Sequence, residues 1–196
     1  GNWNALSGAG NIVAMEEDHG DLWELYRPLD GGSRIAMRDQ HPAPEPDKAT
    51  FSTCQVGAQG TLRRGPVFSE FSLTHPFGEK GHFSTRIRLC AGLRRIEFRT
   101  KLLNNDRFVR YRLLFPTSIR NGEGVHEIPF GAIRRPSGVE FPAQNWMDYG
   151  NGERGMALLN RGLPGNNVAD GIMMVSLLRC TRIVAYGFGG GYEPGM

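Results

Sequence analysis

The feature that most limits this chain is a period of two. In RRIEFRTKL (94–102), Ile96, Phe98, Thr100 and Leu102 fall on one side of an extended backbone, and Arg95, Glu97, Arg99 and Lys101 fall on the other. Alternation of that kind marks an antiparallel strand with one wet face, not a helical stripe. STRIRLC (84–90), before Ala91-Gly92, and RFVRYRLLF (107–115), after Asn104-Asn105-Asp106, repeat the pattern. Asn and Asp tolerate left-handed backbone, so 94–102 and 107–115 are expected to form a hairpin, with 84–90 as a third strand of the same meander. Aligned in that way, Arg86, Arg88, Arg95, Glu97 and Arg99 make a solvated ladder of mixed charge, steadied by opposite charges across strands.

Short strands are expected elsewhere, in NIVAMEED (11–18), DLWELYR (21–27), TFSTCQVG (50–57) and PVFSEFSLT (66–74). DQHPAPEPDKA (39–49) places three prolines within six residues and is expected to be a loop. Pro129, Pro136 and Pro142 keep the following stretch extended but outside a sheet interior. ADGIMMVSLLR (169–179) suits a buried strand or one short helix, and its surroundings favour the strand. Many short strands with close turn signals and no long helix predict an all-β chain, an antiparallel β-sandwich. At 196 residues the expectation is one domain over 1–196.

Composition excludes several partners. The net charge is +3, but 20 Arg and 3 Lys are interspersed with 20 acidic residues rather than pooled, so no nucleic-acid partner is expected. No run approaches 18 apolar residues, and the opening GNWNALSGAG lacks a basic, apolar leader. The expectation is a soluble protein with no membrane partner. Cys54, Cys90 and Cys180 form no CxxC pair, and three buried thiols in a reducing, cytoplasmic setting are expected. The absent initiating methionine and the glycine-rich GFGGGYEPGM read as a segment of a longer polypeptide.

Motifs for chemistry are sparse. His19, His41, His75, His82 and His126 are scattered without HxH or HExxH, so no metal site is expected within this segment. No GxSxG occurs, and Gly8-Ala9-Gly10 lacks the strand and helix a dinucleotide loop requires. Glu16, Glu17, Asp18 and Asp21 near His19 are read as solvated charges, since a catalytic dyad needs burial to separate its pKa values. What remains is FPAQNWMDYGNGERGMALLN (141–160). Trp146, Asn145, Asp148, Tyr149, Glu153 and Arg154 supply an aromatic face and polar groups, the set that stacks on and hydrogen-bonds a sugar. The same residues also fit a core tryptophan followed by a plain hairpin turn at NGERG.

The order of motifs resembles the β-sandwich region of glycoside hydrolase family 38 α-mannosidases. It runs through Pro129-Phe130-Gly131, Arg135-Pro136, Trp146 and Asp148, then Gly155, Ala157-Leu158-Leu159-Asn160, and Leu177-Leu178-Arg179. Weaker similarity covers most of the chain, including 20–32 and 102–117. The resemblance implies a supersandwich like that of the galactose mutarotase group, packed on an N-terminal catalytic domain of the same parent chain. It implies mannose-containing oligosaccharides as substrates and a zinc in that catalytic domain, so no catalytic or metal-binding residue is assigned here. Trp146, Asp148, Glu153 and Arg154 are the substrate-binding candidates. Two other classes stay open: a free-standing carbohydrate-binding module, and a mutarotase-like epimerase using His126 with Glu127 or Glu153. Adjacent strand residues point to opposite faces, which makes His126 and Glu127 a poor pair.

Overall fold

The computed structural model describes residues 4–18, 42–54, 57–79 and 81–181. The expected strand at 21–27 lies outside them, as do residues 39–41 of the proline-rich stretch. The first strands are Ile12–Glu17 (β1) and Ala49–Phe51 (β2), followed by a 3-10 turn, Ser52–Cys54. Next come Thr61–Arg64 (β3), Phe68–Phe77 (β4), Gly81–Cys90 (β5) and Ile96–Leu103 (β6). Val109–Pro116 (β7), Glu123–Ile128 (β8), Gly131–Arg135 (β9), Phe141–Pro142 (β10) and Met147–Gly150 (β11) continue the chain. Gly155–Leu158 (β12), Gly165–Ala169 (β13) and Ile172–Arg179 (β14) follow. All pairings are antiparallel. The chain divides into two compact units, Gly1–Thr53 with Arg107–Met196, and Cys54–Asp106.

The larger unit holds a six-stranded sheet, ordered β10-β13-β14-β7-β1-β2, and a four-stranded sheet, ordered β12-β11-β8-β9. It is a β-sandwich. Strand β7, VRYRLLFP, is its spine, buried on both faces between β1 and β14. Val13, Leu113 and Val175 share a cross-strand row on the inner face, and the row continues through Asn166 to Phe141. There Phe141 meets the buried His126 ring of the small sheet edge-on, with ring centroids 6.3 Å apart, a spacing typical of aromatic pairs. Ala14, Leu114, Met174 and Ala169 form a second core on the other face, joined by Ala43 from the proline-rich loop.

That second face also carries arginines that the alternation alone would have sent to water. Arg112, 1% exposed, donates to both Glu16 carboxylate oxygens at 2.7 and 2.8 Å and to the Pro42 carbonyl at 2.9 Å. Arg110 donates to Glu140 and to Ser176 Oγ, and Arg179 grips Asp18 at 2.7 and 2.9 Å. A buried charge is tolerated only when paired and hydrogen-bonded in this manner.

Several expectations change here. Strands β6 and β7 do not form a hairpin: among the described strands β6 pairs with β5 alone, while β7 buries itself between β1 and β14. The strand expected over 50–57 stops at Phe51, where Ser52 Oγ accepts the Val13 N–H at 3.0 Å and ends the ladder. Only Cys180 of the three free cysteines is buried; Cys54 is exposed and Cys90 half-buried. The strand at 169–179 forms from Ile172, after the Asp170-Gly171 turn whose positive φ values, 51° and 74°, suit this dipeptide in a two-residue hairpin. Pro142 sits on the edge strand β10, where no ladder donor is missed.

In the smaller unit, β3-β4-β5-β6 make one sheet. Glu97 lies opposite Arg88, and Arg99 opposite Arg86, which gives the expected charged ladder except for Arg95, which precedes β6 and bonds Glu97 at 2.7 Å. The chief partner differs from the sequence reading: Glu70 of β4 binds Arg88 at 2.7 and 3.0 Å. That hydrogen bond, with the neighbouring arginine charges, holds the Glu70 carboxyl below its ordinary range. The opposite face runs Leu62, Phe71, Ile87 and Phe98 in a single transverse row.

Candidate functional site

The hairpin of β11 and β12 borders an open depression on the larger unit. Its loop, Asn151–Arg154, is tied by Asn151 Oδ1, which accepts the N–H groups of Glu153 at 3.2 Å and Arg154 at 3.0 Å. Asn151 Nδ2 donates to the Arg120 carbonyl at 3.1 Å, which anchors the loop to the chain before β8. Such local side-chain bonds are why Asn starts turns of this kind. The pleat does the rest. Met147 and Tyr149 point inward and are buried, so Asp148 points outward, in one row with Val125 of β8 and Arg134 of β9.

An open depression of about 380 Å³ results, walled by Glu123, Arg134, Asp148, Glu153 and Arg154. Glycines make it possible: a Cβ at Gly150 would stand 3.1 Å from the Arg154 carbonyl and 3.7 Å from Asp148 Oδ2. Asp148 is half-buried, and that burial raises its carboxyl pKa. Arg134 donates to Glu123 at 2.8 Å across the mouth. Alternating carboxylates and guanidinium groups around a shallow floor can pair with vicinal hydroxyls, as acceptors and donors in turn.

Three of the four sequence candidates, Asp148, Glu153 and Arg154, therefore meet at one depression, and Trp146 does not line it. Trp146 is half-buried one row away, its carbonyl accepting the Glu127 N–H at 3.2 Å. Glu123 and Arg134 were missed because they come from other strands, and only register brings them in. The His126 and Glu127 pair is divided by the sheet. His126 is 2% exposed on the inner face, where burial, and then the nearby Arg135 charge, push its pKa down to about 4. Glu127 holds Asn145 on the outer side, and those hydrogen bonds lower its pKa. Among the described residues no group of three or more His, Cys, Asp or Glu could hold a metal ion. Among them, too, no helix is long and apolar enough to cross a membrane.

Motif residues outside the depression have structural duties. Asn160, 7% exposed, donates to the carbonyls of Ala143 at 2.7 Å and Leu163 at 2.9 Å and to Asn166 Oδ1 at 2.9 Å, locking the entry to β11 against β13. Arg179 holds Asp18. Pro129 and Phe130 form a two-residue turn between β8 and β9, with Ile128 opposite Gly131. Phe130 sits there at φ 67°, fully exposed. A left-handed residue costs a bulky side chain about 1–2 kcal/mol, and a turn with proline first and positive φ second ordinarily takes Gly or Asn.

The sequence profile of the Glycosyl hydrolases family 38 C-terminal domain matches residues 36–182. The human protein Alpha-mannosidase 2C1 is 27% identical over 187 residues, 91% of this chain and 17% of its own length. The mouse protein of the same name is 27% identical over 182 residues, 88% of this chain and 16% of its own. The chain thus spans about a sixth of these relatives. A protein in the glycosyl hydrolase family 38 from Enterococcus faecalis superposes with TM-score 0.68 at 17% identity, over 87% of this chain and 23% of the other. An alpha-mannosidase from Enterococcus faecalis V583 gives 0.67 at 16% identity, over 87% and 22%. At such identities the two structures speak for the fold alone.

Proposed function

From the premise that this chain belongs to the glycosyl hydrolase family 38 C-terminal domain family, we propose that it is the non-catalytic β-sandwich portion of an α-mannosidase acting on mannose-containing oligosaccharides. The match over 36–182 carries the reading. Bond cleavage, and any zinc it uses, belong to the N-terminal catalytic domain of the parent chain; these residues support that domain and lend a rim to the substrate cleft. Asp148, Glu153 and Arg154, with Glu123 and Arg134, form the rim, and Trp146 extends the same face one row further along β11. A half-buried carboxylate of raised pKa suits the rim, because part of its hydration has already been surrendered before a sugar hydroxyl arrives.

Replacement of Asp148 by Asn in the full-length enzyme tests the rim. Exchanging a charge-assisted hydrogen bond for a neutral one costs about 1 kcal/mol, so KM for a mannose-containing oligosaccharide should rise ~3–10-fold with kcat little changed. An unaltered KM in a stably folded variant would remove the depression from the substrate path. Turnover of an aryl α-mannoside by these 196 residues alone would overturn the non-catalytic reading.

A further inference from the structure

Phe130 breaks two local rules at once. It occupies a left-handed turn position, φ 67°, that glycine or asparagine fills without strain, and its ring is entirely in water at 107% relative exposure. None of the described residues covers that ring. Strain kept at an exposed aromatic is a sign of a contact made elsewhere. The contrast is internal to the molecule: the Asp170-Gly171 turn fills its positive-φ positions with residues that tolerate them.

The setting of the ring narrows what it contacts. Nearby residues in the sheet register are Ile128, Pro129, Gly131 and Ala132, and the only carboxylate at this end of β8, Glu127, already spends both oxygens on Asn145. A sugar stacked on Phe130 would find no free group for its hydroxyls in that register. Leu159, 66% exposed, follows β12 at the same end of the sheet and adds apolar surface instead. We infer that Phe130 is an anchor that inserts into an apolar pocket on the part of the parent polypeptide outside these residues. The inference rests on the proposed place of this segment within a longer mannosidase.

Chain coverage and contact area select that occupant. The chain covers 17% of the human relative, so most of such a protein lies outside it. A single aromatic ring buries roughly 150–250 Å², far below the roughly 1,000 Å² that a stable contact between separate molecules requires. Covalent linkage removes that requirement, since tethered partners meet at an effective concentration in the millimolar range. A pocket on the same polypeptide can therefore use one ring where a second copy could not.

The test uses the full-length protein with three variants. Phe130→Gly and Phe130→Asn delete the ring and relieve the turn, whereas Phe130→Leu keeps apolar bulk and keeps the strain. An anchor predicts that the first two lower the melting temperature of the transition that carries this segment by about 2–4 °C and speed limited proteolysis between this segment and the rest of the chain, while Phe130→Leu stays close to wild type. Strain relief alone has the opposite sign. A melting temperature raised or unchanged in Phe130→Gly and Phe130→Asn, with proteolysis unaltered, overturns the anchor. Weaker binding of mannobiose with unchanged melting makes the ring a sugar platform and also overturns it, as does a wild-type dimer that Phe130→Gly dissolves. These readouts need no hydrolysis, so a full-length protein inactive on mannosides defeats the proposed function and leaves the anchor to be judged by melting and proteolysis.

Discussion

Arg112 of the six-stranded sheet and Arg134 of the four-stranded sheet hold their glutamates at nearly the same distance, 2.7 Å to Glu16 and 2.8 Å to Glu123. Their surroundings could hardly differ more. The Arg112 and Glu16 side chains are 1% and 18% exposed, and those of Arg134 and Glu123 are 79% and 69% exposed. In the first pair the guanidinium is out of water, so it depends on its carboxylate, on the Pro42 carbonyl and on Met174 sulfur at 3.3 Å. In the second pair water competes for every donor, and the ion pair can open to receive something else. The same chemistry makes a brace where the dielectric is low and an open, water-exchanging pair where it is high. This division matches the positions of the two sheets' special features: paired arginines under the Ala43 loop, and a glycine-walled depression on the outer face of the small sheet.

The sharpest way to break the comparison is to remove one partner from each pair. Arg112→Ala leaves Glu16 without its guanidinium partner on the face that holds the second core, and the cost of breaking a buried pair is about 3–5 kcal/mol. Urea unfolding should show the midpoint collapse with the slope unchanged. If Arg112→Ala lost less than ~1 kcal/mol, the pair would not be a brace. The replacement of both partners by apolar residues, Arg112→Met with Glu16→Leu, should recover much of the loss, because the penalty belongs to the orphaned charge rather than to the missing attraction.

How far the sequence shows this division depends on what each feature needs. The period of two in 94–102 is local, and it located β6 and the charged ladder of Arg86, Arg88, Glu97 and Arg99 correctly. Asp170-Gly171 and the NGERG loop are local as well, and both are turns. The partner of β7 is not local. Asn104-Asn105-Asp106 signals a change of direction, but the choice between β6 and the pair β1 and β14 depends on burying VRYRLLFP on both faces, which no window of sequence contains. The fate of Arg110 and Arg112 has the same origin, since their carboxylates lie 30 and 96 positions away. At the site, Asp148, Glu153 and Arg154 share one hairpin and were legible together, whereas Glu123 and Arg134 arrive only through the register of β11 on β8 and of β8 on β9. Trp146 shows the limit of residue-type reasoning, for its indole belongs to the right segment and the neighbouring row.

A second prediction concerns the seam between the sheets, where a titratable ring has been shut in. His126 is neutral in the folded protein down to about pH 4, whereas an unfolded chain protonates it near 6.5. Its folded pKa is depressed, so the unfolded state takes up the proton first as pH falls, and stability drops between about 6.5 and 4. From pH 7 to 5 the expected loss is ~1–2 kcal/mol. His126→Gln should flatten that slope in melting experiments, even if its stability at pH 7 is lower. An equal slope in both proteins would mean that the inner face of the small sheet is as open to water as its outer one, and the comparison between faces would fail.

The smallest expected effect is the most discriminating for function. Glu123→Ala removes an exposed partner of Arg134, and exposed pairs are worth about 0–1 kcal/mol, less in salt. Melting of the variant should match wild type within about 1–2 °C, most closely at high ionic strength. Should stability fall by as much as it does in Arg112→Ala, the rim would be a brace after all, and the two sheets would not differ in kind. If stability holds while KM for a mannose-containing oligosaccharide shifts in the full-length enzyme, the open pair is acting on the substrate side of the molecule. That outcome cannot come from a fold defect, because the fold is measured in the same variant, and it would separate the sheet that holds the sandwich together from the sheet that meets the sugar.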